Sequence, residues 1–191
     1  MINNINNNKI VVFDLDETLG SFVELGIFWD ALENFYGHKM SNDDFITLLD
    51  IFIEFLRPDI INILKFIINK RNSGECNKIM IYTNNQAPKS WTKLICNYFD
   101  KKLNTIVFDK IISAFKVNGK VVEICRKSHN KTFGDLINCS KIPKNTKIFF
   151  IDDQLHPDME HENVYYIKIK PYNYSLPYNI MAEKYYEYEY N

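Results

Sequence analysis

Glycine is scarce in this chain: six glycines stand among 191 residues, and no glycine-rich phosphate-binding loop can be recognised. Cysteine is sparse too. We expect reduced thiols, and neither a disulfide nor a zinc site, because the four cysteines are scattered and form no CxxC pair. An excess of one charge is also lacking, since the formal net charge is −1. This balance excludes a global basic field, so nucleic acid is expected only as a substrate.

Long apolar runs are missing as well. No segment approaches the length of a membrane-spanning helix, and the first residues do not combine a basic region with an apolar stretch. We therefore expect no membrane partner and a cytoplasmic or nuclear location. The length suits one domain with a full core, which we assign to residues 9–180. Residues 1–8 are expected to be a disordered tail. Residues 181–191 are expected to be a second tail of low complexity, whose end is either solvated or a last helical turn.

Between these ends, apolar runs alternate with segments of helical periodicity. This alternation predicts an α/β fold, in which a Rossmann-like parallel sheet carries helices on both faces. Two short helices are expected as a small insertion after the first strand, at about residues 20–57. Ligands of such sheets bind beyond the carboxyl ends of the strands. The predicted strands cover residues 9–14, 79–82, 108–113, 147–151 and 164–169.

Local signals add detail to this outline. Asn118-Gly119 predicts a tight hairpin, because both residue types accept the positive φ angles that a two-residue turn requires. Phe28, Leu32 and Phe35 recur at helical spacing, so we expect them on the buried face of the first helix of the insertion.

Two of the predicted strands end in paired carboxylates. Asp14 and Asp16 follow the first strand at a spacing of two, which directs both side chains to the same side of an extended segment. Asp152 and Asp153 end a later strand. Such acidic ends would repel one another, and a divalent cation between them would remove the repulsion. His156 follows in a segment that we interpret as a polar loop without a zinc role.

Four features occur in a fixed order along the chain: Asp14-Leu15-Asp16-Glu17-Thr18, then Thr83, a lysine, and Asp152-Asp153. This order resembles the four motifs of the haloacid dehalogenase superfamily of phosphohydrolases. The residues of the first motif, together with Phe55-Leu56-Arg57-Pro58, are similar to those of the carboxy-terminal-domain phosphatase branch, which acts on phosphoserine in proteins. The resemblance spans residues 9–153 and implies the same α/β fold.

The resemblance also implies catalytic roles. Asp14 would attack phosphorus and form an aspartyl-phosphate. Asp16 would protonate the leaving oxygen and then deprotonate the water that resolves the intermediate. For the lysine, Lys131 is favoured, because a cation just before a helix opposes the helix dipole and local rules would not choose it. Lys127 and Lys116 remain alternatives.

Substrate and metal ligands follow from the same resemblance. Thr18, Thr83 and Asn84 are expected to bind the substrate, the last two through the phosphoryl oxygens. Hard oxygen ligands suit Mg²⁺, which is the expected cofactor. The expected metal ligands are Asp14, the backbone carbonyl of Asp16, Asp152 and Asp153; which of the last two binds directly stays open.

The function predicted from these features is a Mg²⁺-dependent phosphatase. Its substrate is expected to be a phosphomonoester on a protein or another macromolecule, because the insertion is too short to form a lid over a small metabolite. A small-molecule phosphatase and a non-catalytic interaction protein with the same fold are the alternatives. A receiver-like signalling domain is disfavoured, because its acidic pair precedes its phospho-acceptor along the chain. The sequence leaves the oligomeric state open.

Overall fold

The computed structural model describes residues 8–190, so the tail predicted over residues 1–8 lies, apart from its last residue, outside the described residues. Strands and helices alternate along the described chain. The strands are β1 (Lys9–Phe13), β2 (Lys78–Tyr82), β3 (Lys110–Ile112), β4 (Lys116–Val117), β5 (Lys120–Val121), β6 (Lys147–Asp152) and β7 (Val164–Lys168).

The helices flank these strands. The α-helices are α1 (Val23–Tyr36), α2 (Asn42–Ile51), α3 (Ile60–Asn72), α4 (Lys89–Leu103), α5 (Phe133–Ser140) and α6 (Tyr178–Tyr190). Two short 3-10 turns, Ile53–Phe55 and Pro157–Met159, complete the set. Helices α1 and α2 are the two that the sequence predicts within residues 20–57. Among residues 8–190, no helix combines the length and the apolar character needed to cross a membrane.

Five of the strands form one parallel sheet in the order β3-β2-β1-β6-β7. Alternate side chains of each strand enter two apolar cores, one on each face. Phe13 and Ile81 enter the core beneath α1–α4, whereas Val12 and Phe150 enter the core beneath α5. The Rossmann-like α/β prediction is thereby confirmed. Because β1 is central, the residues after it lie between the ends of β2 and β6.

The hairpin prediction is also confirmed. Strands β4 and β5 pair antiparallel, and Asn118 and Gly119 between them have φ angles of 49° and 76°. The expectation for α1 is correct in part. Phe28 is buried, but Phe35 is 81 % exposed, because it lies near the end of the helix and beyond the reach of the core.

Over residues 181–190 the chain forms more than the solvated tail or last helical turn that the sequence predicts. Residues up to 190 form α6, and its Met181 and Tyr185 are buried in the core beside α1 and α2. The ring of Tyr185 packs edge-on against Phe28, with centroids 6.2 Å apart. These apolar contacts stabilise a helix whose tyrosine- and glutamate-rich sequence looks like a solvated end.

The expectation of four reduced cysteines is wrong for one pair. Cys125 and Cys139 form a disulfide with a Cα–Cα distance of 5.1 Å. The reason is tertiary: the loop that carries Cys125 folds back onto α5, which carries Cys139. Cys76 and Cys96 are free and buried.

Candidate active site

The candidate site is a cavity of about 210 Å³ at the carboxyl ends of β1, β2 and β6. Three neighbouring parallel strands end there, so residues far apart in sequence meet. The cavity is lined by Asp14, Asp16, Glu17, Thr83, Asn84, Asn85, Lys131, Asp153, Gln154 and His156.

Asp14 directly follows the central strand and is buried. Its backbone N–H donates to the carbonyl of Ile151, which extends the β1–β6 pairing to the site. Its Oδ1 accepts from the Nζ of Lys131 at 2.5 Å. Burial raises the pKa of Asp14 to about 7; the Lys131 ammonium lowers it and the Asp152 carboxylate adds to the rise.

Lys131 is the lysine that the structure brings to the site. Its side chain is 2 % exposed and donates to two carboxylates, at 2.5 Å to Asp14 Oδ1 and at 2.7 Å to Asp152 Oδ2. The other two candidates lie elsewhere. Lys127 is exposed, and Lys116 lies on β4 with its ammonium over the ring of Phe115.

Asp152 and Asp153 have different surroundings. Asp152 is fully buried, accepts from Lys131 and from the backbone N–H of Gln154, and lies 3.3 Å from Nε2 of His156. Burial would raise the pKa of Asp152, but the His156 and Lys131 contacts outweigh it, so the pKa is lowered. Asp153 lines the cavity, and Gln154 Nε2 donates to its Oδ2 at 3.0 Å.

Thr18 lies behind the cavity wall, in contact with Asp153. Its side chain is buried, and its hydroxyl donates to Asp153 Oδ1 at 3.2 Å. In this position it orients a carboxylate of the site and does not itself form part of the cavity wall. The substrate-binding role that the sequence suggests for Thr18 stays a prediction.

Asp16 is held by a residue that the sequence did not single out. Asn85 Nδ2 donates to Asp16 Oδ2 at 2.6 Å. The amide cannot be reversed, because its Oδ1 already accepts from the backbone N–H of Ala87 at 2.8 Å. Asp16 Oδ1 is buried and has no hydrogen-bond partner among residues 8–190. Burial raises the pKa of Asp16, and the Asn85 hydrogen bond opposes the rise.

Thr83 and Asn84 directly follow β2, so they lie on the side of Asp14 away from β6. Thr83 is buried, and its hydroxyl oxygen accepts from the backbone N–H of Asn85 at 3.0 Å. The carbonyl of Thr83 and the side-chain oxygen of Asn84 both accept from the guanidinium of Arg126, at 3.0 and 2.8 Å. Arg126 therefore fixes the segment that is expected to hold phosphate.

Arg126 connects this segment to the loop that ends in Lys131. It is 2 % exposed, lies over the Tyr82 ring, and also donates to the carbonyls of Ser113, His129 and Asn130. The end of β2, the end of β3 and the Lys131 loop thus share one buried cation.

The turn after β1 contains a strained residue. Glu17 has a φ angle of 59°, a left-handed conformation that costs a side-chain-bearing residue about 1 kcal/mol. Arg57 compensates by donating to the carbonyls of Glu17 and Thr18, at 2.5 and 2.6 Å. Gly20 closes the turn, where an added Cβ would lie 2.5 Å from the carbonyl oxygen of Phe55. The turn directly follows Asp16, whose backbone forms a bridge with Gly20.

The carboxylates of the site can hold a metal ion. One oxygen each from Asp14, Asp152 and Asp153 lie within 4.8 Å of one another. Asp16 and Glu17 also line the cavity, so five carboxylates stand against Lys131, the one lysine in the cavity lining among residues 8–190. The site therefore carries an excess of negative charge that a divalent cation would balance. Carboxylate oxygens are hard ligands of the kind that Mg²⁺ and Ca²⁺ prefer.

Sequence reasoning missed Asn85, Arg126, Gln154 and His156 as members of this site. Asn85 and Gln154 had a signal, because each follows a predicted site residue at a strand end. Arg126 had none: it lies in a loop without periodicity, and nothing in its neighbours indicates burial.

No protein-family model, curated protein or solved structure matches the chain. Its function must therefore be argued from the site itself.

Proposed function

We propose that this chain is a phosphomonoesterase of the haloacid dehalogenase type, which uses Asp14 as nucleophile and Mg²⁺ as cofactor. One observation carries the proposal: two carboxylates, two residues apart at the end of the central strand, have different hydrogen-bond donors. Asp14 is held by the ammonium of Lys131, and Asp16 by the amide of Asn85. Such a pair suits one nucleophile and one proton carrier.

The first half-reaction transfers the phosphoryl group to Asp14. Lys131 holds Oδ1 of Asp14, which orients the second carboxylate oxygen for attack. A bond forms between this oxygen and phosphorus while the bond from phosphorus to the leaving oxygen breaks. Asp16 gives its proton to the leaving oxygen. Asn85 occupies Oδ2 of Asp16, so Oδ1, which has no hydrogen-bond partner among residues 8–190, is the oxygen that would carry this proton.

The second half-reaction returns the enzyme to its starting state. Asp16, now ionised, takes a proton from a water molecule, and the water oxygen bonds to phosphorus. The bond between phosphorus and the Asp14 oxygen breaks, which releases inorganic phosphate and the Asp14 carboxylate. Asp16 has then regained the proton that it donated in the first half.

The phosphoryl oxygens need donors and positive charge during both steps. The Thr83 hydroxyl and the Asn84 backbone N–H are suited to donate, since Arg126 fixes the segment that carries them. The ammonium of Lys131 supplies one positive charge. Mg²⁺ bound by Asp14, Asp152 and Asp153 would supply the charge that remains to be neutralised.

The test is hydrolysis of p-nitrophenyl phosphate with Mg²⁺ by the wild-type chain, Asp14→Asn and Asp43→Asn. Asp43 is an exposed carboxylate in the first turn of α2 and serves as the matched control. Activity should be lost in Asp14→Asn and retained in Asp43→Asn, because an amide is a poor nucleophile. Near-normal turnover by a folded Asp14→Asn variant would refute the nucleophile. Absence of turnover of every phosphomonoester by the wild-type chain would favour the non-catalytic alternative.

A further inference from the structure

A second and larger cavity adjoins the candidate site. It is an open groove of about 650 Å³ between α1 and α4, and we call it the α1–α4 groove. Asn85 lines both the groove and the site cavity. The groove begins at Asn85 and Gln86, and at its far end Asn97 donates to Asn42 at 3.0 Å.

The position of Asp16 relates the groove to the reaction. In the proposed function Asp16 protonates the leaving oxygen, so the leaving group lies on the Asp16 side of the phosphoryl group. Asn85 contacts Asp16 on that side and also forms the near end of the groove. Resting on the proposed function, we infer that the α1–α4 groove binds the leaving group, and that this is a polypeptide segment with a large aliphatic side chain near the phosphorylated residue.

The length of the groove favours an extended chain. The wall formed by α4 runs from Pro88 to Asn97, and the wall formed by α1 runs from Val23 to Glu33. At 1.5 Å per helical residue these walls measure roughly 13 to 15 Å. An extended polypeptide rises about 3.3 Å per residue, so about four residues fit. A sugar phosphate would leave most of this length empty.

The charges of the groove favour a polypeptide over a nucleic acid. Its charged lining residues are two acids and two lysines: Asp30, Glu33, Lys39 and Lys93. Lys39 is moreover paired with Glu33. A polynucleotide needs a groove with an excess of basic residues along its backbone. Side-chain amides at both ends of the groove can instead pair with peptide N–H and C=O groups.

The walls of the groove offer a place for an aliphatic side chain. Val23 and Ile27 of α1 are 64 % and 53 % exposed although they are large and apolar. They face the groove together with Pro88 and Leu94. Beneath them, α1 packs closely on α4, since an added Cβ at Gly26 would lie 3.2 Å from the Trp91 indole. The floor of the groove is thus closely packed at Gly26, whereas Val23 and Ile27 leave apolar surface exposed in the groove.

The experiment compares two phosphoserine peptides that differ in one feature. In one, the four residues on each side of the phosphoserine include leucine; in the other, serine replaces each leucine. Burying one leucine side chain should raise kcat/KM by about ten- to a hundredfold. The ratio of the two values should fall towards one in Ile27→Glu and in Val23→Glu. It should be unchanged in Phe35→Glu, a control on the same helix whose side chain is 81 % exposed and does not line the groove.

Binding is measured separately, with fluorescent versions of both peptides that carry a non-hydrolysable phosphonate. Tighter binding of the leucine peptide, lost in Ile27→Glu, supports the groove even if no substrate is turned over, in which case the proposed function alone fails. Hydrolysis of p-nitrophenyl phosphate without any preference between the peptides overturns the groove and leaves the proposed function standing. Faster turnover of a 5′-phosphorylated oligonucleotide than of either peptide overturns the assignment to polypeptides.

Discussion

Replacing Lys131 by methionine tests whether the buried ammonium holds the acidic site together. The side chain is 2 % exposed and donates to Asp14 and Asp152 at 2.5 and 2.7 Å. Methionine has a similar length and no charge, so the substitution removes the cation with little change of volume. Two buried carboxylates then lose a shared partner.

The expected loss is about 3–5 kcal/mol in the free energy of unfolding, the usual result of removing one member of a buried ion pair. The loss should depend on pH. Burial raises the pKa of Asp14 to about 7, so at pH 6 this carboxyl is mostly protonated and needs the cation less. Lys131→Met should therefore be more destabilising at pH 8.5 than at pH 6.

The assay is urea denaturation in buffer with a chelator, so that no metal replaces the missing charge. Lys65→Met, at an exposed position of α3, is the control and should change stability by at most about 0.5 kcal/mol. Adding Asp14→Asn to Lys131→Met should restore about 1–3 kcal/mol, because the amide removes one unpaired charge. The reasoning fails if Lys131→Met is as stable as its control, or if the second substitution restores nothing.

Four further outcomes are expected. Asp16→Asn should slow turnover by about 10² to 10⁴; its kcat/KM, which reports the first half-reaction, should fall more for alkyl phosphates than for p-nitrophenyl phosphate, since a good leaving group needs no proton, and equal losses of kcat/KM would contradict its role as the acid. A chelator should abolish phosphatase activity and Mg²⁺ should restore it, so full activity without metal would exclude the cofactor. In metal-free buffer, the midpoint urea concentration should decrease as the pH rises from 4 to 7, because the pKa of Asp14 is raised from 3.8 to about 7 and the unfolded chain loses this proton at a lower pH than the folded chain. Asp14→Asn should flatten this trend, and an increase of the midpoint would contradict it. Replacing Cys125 and Cys139 by serine, which opens a loop with a sequence separation of 14, should lower the free energy of unfolding by about 2–4 kcal/mol in calorimetry, whereas an unchanged value would show that the loop is held by its other contacts.

The sheet could be predicted because its signals are local and repeated. Each strand of the five-stranded sheet contains a short apolar run. The separate β4–β5 hairpin could be predicted because Asn118-Gly119 favours a tight turn with positive φ angles. The acidic pairs could be assigned to a common edge because parallel strands all end on the same side. Lys131 was the favoured lysine because it conflicts with the helix that it precedes, and conflicts of this kind concentrate at functional sites.

The remaining features depend on contacts between distant segments. The burial of Arg126 requires the ends of β2 and β3 to lie beside its loop, and no pattern in its own neighbourhood encodes this. The Cys125–Cys139 pairing depends on the same loop and α5. Helix α6 could be predicted only in part. Met181 and Tyr185 are four residues apart, which is a helical spacing, but the surrounding tyrosines and glutamates obscure it.

The central position of β1 has a consequence for the synthesis of this protein. Asp14 is separated from Lys131 by 117 residues, and Thr18 from Asp153 by 135. A growing chain that has left the ribosome only as far as α4 contains β1 and β2 but neither Lys131 nor β6. One edge of β1 is then unpaired, and its acidic end has no ammonium beside it. Such distant pairing is slow to form, so we expect this intermediate to need protection from aggregation until β6 inserts. The site would thus be completed only when β6 joins the sheet, whereas β7 and α6, which follow β6 in the chain, would pack afterwards.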